Sequence, residues 1–157
     1  MVDNRGTHDY VDDLRNLEIL VCINGKFYPR QDASISVFDS GYLLGDGVWE
    51  GIRFHNGKFL FLGPHLERLF WGASQIDMDI GKTIEEIKEI LHDTVKRNKM
   101  ETGVHVRLIV SRGIKSTPYQ DPSFTVSEPT IVVIPVYKQP SPDTQKNGIK
   151  LVSVDII

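Results

Sequence analysis

A chain of 157 residues, 40% hydrophobic and 25% charged, is long enough for one soluble domain with a core of its own, yet short for an enzyme whose site lies between two domains. Its net charge of −3 provides no basic field, which argues against nucleic acid or an anionic membrane as a partner. The single cysteine, Cys22, leaves no disulfide framework and no thiolate metal cluster; with no secretory signal or membrane span legible, a cytoplasmic protein is expected.

Residues 1–17 read as a polar N-terminal arm, extended or loosely held. Ile19 to Ile23 is a strand, Asn24-Gly25 a hairpin turn, and Lys26-Phe27-Tyr28 the return, ended by Pro29. Ser34 to Phe38 reads as another short strand, followed by a turn at Asp39-Ser40-Gly41. From Val48 the chain alternates: Val48, Ile52 and Phe54 share one face, while Trp49, Gly51, Arg53 and His55 share the other. Glu50 falls on the apolar face, where the pattern gives it no role. Asn56-Gly57 turns into a strand over Lys58 to Leu62.

Gly63-Pro64 opens a helix whose core stripe is Leu66, Leu69, Phe70, Ala73 and Ile76. Arg68, Trp71, Gly72 and Gln75 lie roughly opposite, and a tryptophan beside a glycine there predicts a face covered by another domain or subunit. Thr83 and Glu86 form a capping box for a second helix with a stripe of Ile87, Ile90, Leu91, Thr94 and Val95. Val104 to Ser111 is a strand with His105 and Arg107 on its polar side. Lys115 to Glu128 is a long polar loop, Ile131 to Ile134 a strand buried on both faces, and residues 139–147 have linker composition.

If the strands at Val48 and Val104 share a sheet, Arg53 and Arg107 flank a surface carrying Trp49, Gly51 and His105. Guanidinium forks, an aromatic wall and a glycine suit a small anionic ligand. The plainer alternative is that these arginines cover an exposed sheet face. The glycines Gly45, Gly47 and Gly51 lack dinucleotide spacing, and no phosphate loop is present. The five histidines show no helical pair at ligand spacing, so no metal site is expected. Lys150 is a weak candidate for a covalent cofactor lysine because the chain stops soon after it.

The segment Gly45 to Arg53, GDGVWEGIR, followed by His65-x-x-Arg68-Leu69 and the small residues Gly72, Ala73 and Ser74, closely resembles the class IV pyridoxal-phosphate aminotransferases. That group includes branched-chain and D-amino-acid aminotransferases, R-selective amine transaminases and aminodeoxychorismate lyases. The resemblance implies an α+β small domain, with a mixed and mostly antiparallel sheet packed against two helices. It divides the chain into the arm, a small domain over 18–138, an inter-domain linker at 139–147, and the first strand of a large domain at 148–157. It implies that Arg68 holds the phosphate of pyridoxal 5'-phosphate and that Trp49, Gly51, Arg53, His105 and Arg107 line the substrate pocket. It also implies amino-group transfer between an amino acid or amine and a 2-oxo acid, a homodimer, and a catalytic lysine in the large domain, outside this chain. His105 stands where branched-chain enzymes typically carry tyrosine, Leu44 where an aromatic is common, and Ser116-Thr117-Pro118-Tyr119 where the D-amino-acid group carries Arg-x-His. The amino donor therefore stays open. A lyase on a chorismate-derived amine and a non-catalytic binding domain of the same fold are the rival readings.

Overall fold

The computed structural model describes residues 12–140, 142–149 and 151–153. The Asn-Gly pairs behave as their chemistry dictates. Asn24 and Gly25 (φ 49° and 78°) join β1 (Leu20–Ile23) to β2 (Lys26–Pro29). Asn56 and Gly57 (φ 48° and 73°) join β3 (Gly47–His55) to β4 (Lys58–Phe59). With β5 (Val104–Ser111) and β6 (Thr130–Tyr137) these strands form one sheet in the order β2-β1-β6-β5-β3-β4, every described pair antiparallel. The fold is α+β.

Three helices precede or cover the sheet. The short α1 (Ser40–Leu44) is capped by Asp39, whose carboxylate is buried and accepts from the Gly41 N–H and the Ser111 hydroxyl, both at 2.9 Å. The long pair, α2 (Leu62–Gln75) and α3 (Ile84–Arg97), pack on one face of the sheet. Leu66, Leu69 and Ala73 of α2 and Ile87, Leu91 and Val95 of α3 close over Ile52, Val104, Val106, Leu108 and Val133. Thr83 and Glu86 make the reciprocal capping box at the start of α3. Among the described residues no helix is long and apolar enough to cross a membrane.

Four local expectations give way to tertiary structure. Ser34 to Phe38 forms no strand; it is irregular chain leading into the α1 cap, its Phe38 carbonyl accepting from the Lys115 N–H at 2.9 Å outside the six-stranded sheet. Likewise, the strand after Gly57 stops at Phe59, since Phe61 adopts a left-handed conformation (φ 52°) and Leu62 already begins α2. Along β6, residues alternate between buried and half-buried: Ile131 and Val133 face the helices, while Val132 and Ile134 look out from a face that no described helix covers. Leu14–Leu17 is a 3-10 turn rather than extended chain, fixed because Asn16 exchanges two hydrogen bonds with the Tyr137 backbone (3.0 and 2.7 Å).

The long loop after β5 is also closed on itself. Lys115 is 2% exposed and donates from Nζ to the Asp121 carbonyl at 2.8 Å, while the Ser116 N–H donates to the Phe124 carbonyl at 2.9 Å. A last short helix, α4 (Pro142–Asn147), lies within the segment of linker composition. Lys150, residues 1–11 of the arm and residues 154–157 of the expected final strand lie outside the described residues; Ile149 and residues 151–153 are irregular.

Candidate functional site

The site grows out of the pairing of β3 with β5. Register sets Trp49 opposite Ile109, Gly51 opposite Arg107 and Arg53 opposite His105, so these side chains share the face away from the helices. Because β4 pairs only with Phe54 and His55, the first half of β3 runs along the sheet edge, and α2 can bring Arg68 up to it. All six residues expected from the sequence, Trp49, Gly51, Arg53, Arg68, His105 and Arg107, line one concavity of about 660 Å³, together with Glu50 and residues Lys138, Gln139 and Pro140.

Each arginine is held by a different device. The Arg107 guanidinium stacks over the Trp49 ring, 3.9 Å from its centroid, a cation–π contact that orients both. Arg53 donates to the carbonyl of Lys138 and so ties β3 to the end of β6. Arg68 is gripped by Glu50: Nε donates to Oε1 at 2.6 Å and Nη2 to Oε2 at 2.7 Å, and His65 Nδ1 lies 2.8 Å from the same Oε2. Glu50 is only 3% exposed, and Arg68 holds its carboxyl below the ordinary carboxylate range, with His65 adding to the effect. The acid that interrupts the apolar face of β3 is thus the anchor for the arginine of α2.

The glycines divide by role. Gly45 (φ 69°) is the left-handed C-cap of α1, and a Cβ on Gly47 would stand 2.5 Å from the Val110 carbonyl oxygen, so both serve the fold. At Gly51 a Cβ would meet His105 Cε1 at 2.8 Å; the space the missing side chain leaves is filled by that ring. On α2, a Cβ on Gly72 would lie 3.5 Å from Val48 Cγ1, so this residue turns toward β3, whereas Trp71 is 64% exposed.

Sequence reasoning left Glu50 and His65 without a role. A signal was present: a lone carboxylate in an apolar stripe, and His-x-x-Arg on the next helix supplying two complementary groups one turn apart. Beside the concavity, the same sheet face continues as an apolar hollow of about 730 Å³ lined by Val21, Ile23, Ile109, Val132, Ile134 and Tyr42, among others.

The family model described as amino-transferase class IV matches residues 47–156, most of the chain. The chain is 37% identical over 138 residues to branched-chain-amino-acid aminotransferase-like protein 1 of Arabidopsis thaliana, covering 88% of this chain and 25% of that one. It is 32% identical over 137 residues to the D-alanine aminotransferase of Staphylococcus haemolyticus, covering 87% and 48%. In fold it is similar to the branched-chain aminotransferase of the thermophilic archaeon Thermoproteus uzoniensis, solved with norvaline, with a TM-score of 0.63 at 24% identity over 75% of this chain and 40% of that one. The chain spans between a quarter and a half of the length of these curated relatives. On the family match, and with the expected small-domain fold in place, this chain belongs to the class IV aminotransferases.

Proposed function

We propose that this chain is the small domain of a pyridoxal-phosphate aminotransferase that moves an amino group between an amino acid or amine and a 2-oxo acid. The observation that carries the reading is the convergence of Arg53, Arg68 and Arg107, with Trp49 and His105, on one concavity large enough for a small aromatic phosphate. The residues fit such a group. A guanidinium fork matches phosphate geometry, and Arg68 offers one whose side chain is 65% exposed at the rim. Bound pyridoxal phosphate supplies an electron sink that stabilises negative charge at the carbon bearing the amino group.

In this reading Arg68 holds the phosphate, while Arg107, kept flat on Trp49, faces the carboxylate end of the substrate. His105 and Arg53 complete the polar wall, and Trp49 with Gly51 bounds the pocket and excludes water. The lysine that handles the proton belongs to a larger domain outside this chain. The neighbouring apolar hollow is the surface on which that domain or a second copy in a homodimer packs. A cytoplasmic location goes with this assignment.

The test is an isotope transfer with the full-length protein. With a panel of 15N-labelled amino donors and 2-oxo acid acceptors, label should appear in the new amino acid, and Arg68→Ala should lower the yield at limiting cofactor by about tenfold or more. No label transfer, with pyruvate released from an added chorismate-derived amine whose nitrogen stays on the ring, would favour the lyase rival; no cofactor-dependent reaction at all would favour a binding domain.

A further inference from the structure

Glu50 is an unusual residue to find at 3% exposure on the helix-facing side of β3. An apolar residue there would extend the core formed by Ile52 and Phe54, and carboxylates are seldom buried without a partner. This one has its partner, but a partner that is itself 65% exposed. A buried carboxylate gripping a largely exposed arginine adds little as a surface ion pair. It does something else well: it removes rotational freedom from a long side chain.

The geometry supports that directly. A guanidinium has five N–H groups. The carboxylate accepts the one on Nε and one on Nη2, both with short distances of 2.6 and 2.7 Å. Among the described residues nothing accepts from Nη1. Nη1 is thus the part of the guanidinium that the carboxylate leaves unused, on a residue that lines the concavity. His65, one turn earlier on α2, meets the same carboxylate at 2.8 Å and fixes its second oxygen. Among the described residues no comparable carboxylate brace holds Arg53 or Arg107: the first leans on a backbone carbonyl and the second on an aromatic ring.

We propose that Glu50, steadied by His65, is a positioning residue that fixes the Arg68 guanidinium at the sheet edge so that its Nη1 edge is presented to a phosphate before any ligand arrives. The proposal rests on the reading of Arg68 as the phosphate-holding residue. It also makes an electrostatic commitment. A carboxylate near a phosphate site repels the dianion, so removing its charge would strengthen phosphate binding if repulsion dominated. Preorganisation predicts the opposite sign, because an unbraced arginine must be ordered by the ligand itself.

The experiment compares the affinity of the full-length protein for pyridoxal phosphate and for pyridoxal, which lacks the phosphate, in wild type, Glu50→Gln, Arg68→Ala and the double variant. Glu50→Gln should lower the preference for the phosphorylated ligand by about tenfold with pyridoxal affinity little changed, and it should add nothing once Arg68 is alanine. An unchanged or increased preference in Glu50→Gln, with the preference lost in Arg68→Ala, overturns the positioning role and leaves Arg68's own role standing. A preference retained in Arg68→Ala overturns both. Should Glu50→Gln fail to fold, wild type alone still decides: in the unliganded protein the Arg68 Nε–Hε resonance should exchange slowly with solvent, and exchange as fast as that of a free arginine overturns the proposal.

Discussion

The two faces of this sheet are made by the same strands and do opposite work. On one, Ile52, Val104, Val106, Leu108 and Val133 are sealed beneath α2 and α3. On the other, one residue along, stand Trp49, Arg53, His105 and Arg107. The two-residue period of a strand thus builds core and site together, and stiffness in the first fixes positions in the second. Glu50 is the exception that joins them: it sits on the sealed side and governs an arginine at the edge of the open one.

The contrast can be broken most forcefully at the sealed face. Leu108→Ala should cost about 2–5 kcal/mol in a denaturant titration, whereas Ile109→Ala, half-buried on the open face, should cost about 1 kcal/mol. Equal costs would mean that the open face is packed as tightly as the core. The two glycines of β3 sharpen the same point. Gly47→Ala forces a Cβ against the Val110 carbonyl and should cost about 1–3 kcal/mol. Gly51→Ala meets only the end of a histidine ring and should stay within about 1 kcal/mol of wild type. Its effect should appear instead as displaced His105 ring resonances.

Acid probes the residue that links the faces. The folded-state pKa of Glu50 lies below its ordinary value of 4.5, so its pairing stabilises the fold above that value and is lost as pH falls through the depressed pKa. Wild type should exceed Glu50→Gln by no more than about 1 kcal/mol at neutral pH, a figure kept low by the exposure of Arg68, and the gap should begin to narrow below about pH 4.5 and close as pH falls through the depressed pKa. A gap independent of pH would show that the carboxylate's charge contributes nothing to stability.

What could be read from the sequence follows the range of the forces involved. Asn24-Gly25, Asn56-Gly57 and the Thr83/Glu86 box declare themselves because turn and cap chemistry is complete within four residues. The alternation of β5 is equally local, and the shared face of His105 and Arg107 follows from it. Gly51 and Gly47 needed the β3–β5 register before their separate roles emerged. Glu50 needed Arg68, eighteen residues on, and Lys115 needed a carbonyl in a loop with no periodicity. The run Ser34 to Phe38 misled because apolar alternation makes a strand only where a neighbour accepts its hydrogen bonds.

Whether Arg68 holds the phosphate while braced by Glu50 can be seen in a crystal structure of the full-length protein with pyridoxal phosphate bound. Phosphate oxygens should lie about 3 Å from Arg68 Nη1, with the Glu50 carboxylate still on the opposite side of the guanidinium. A phosphate held elsewhere, with Arg68 pointing into solvent, would contradict that role.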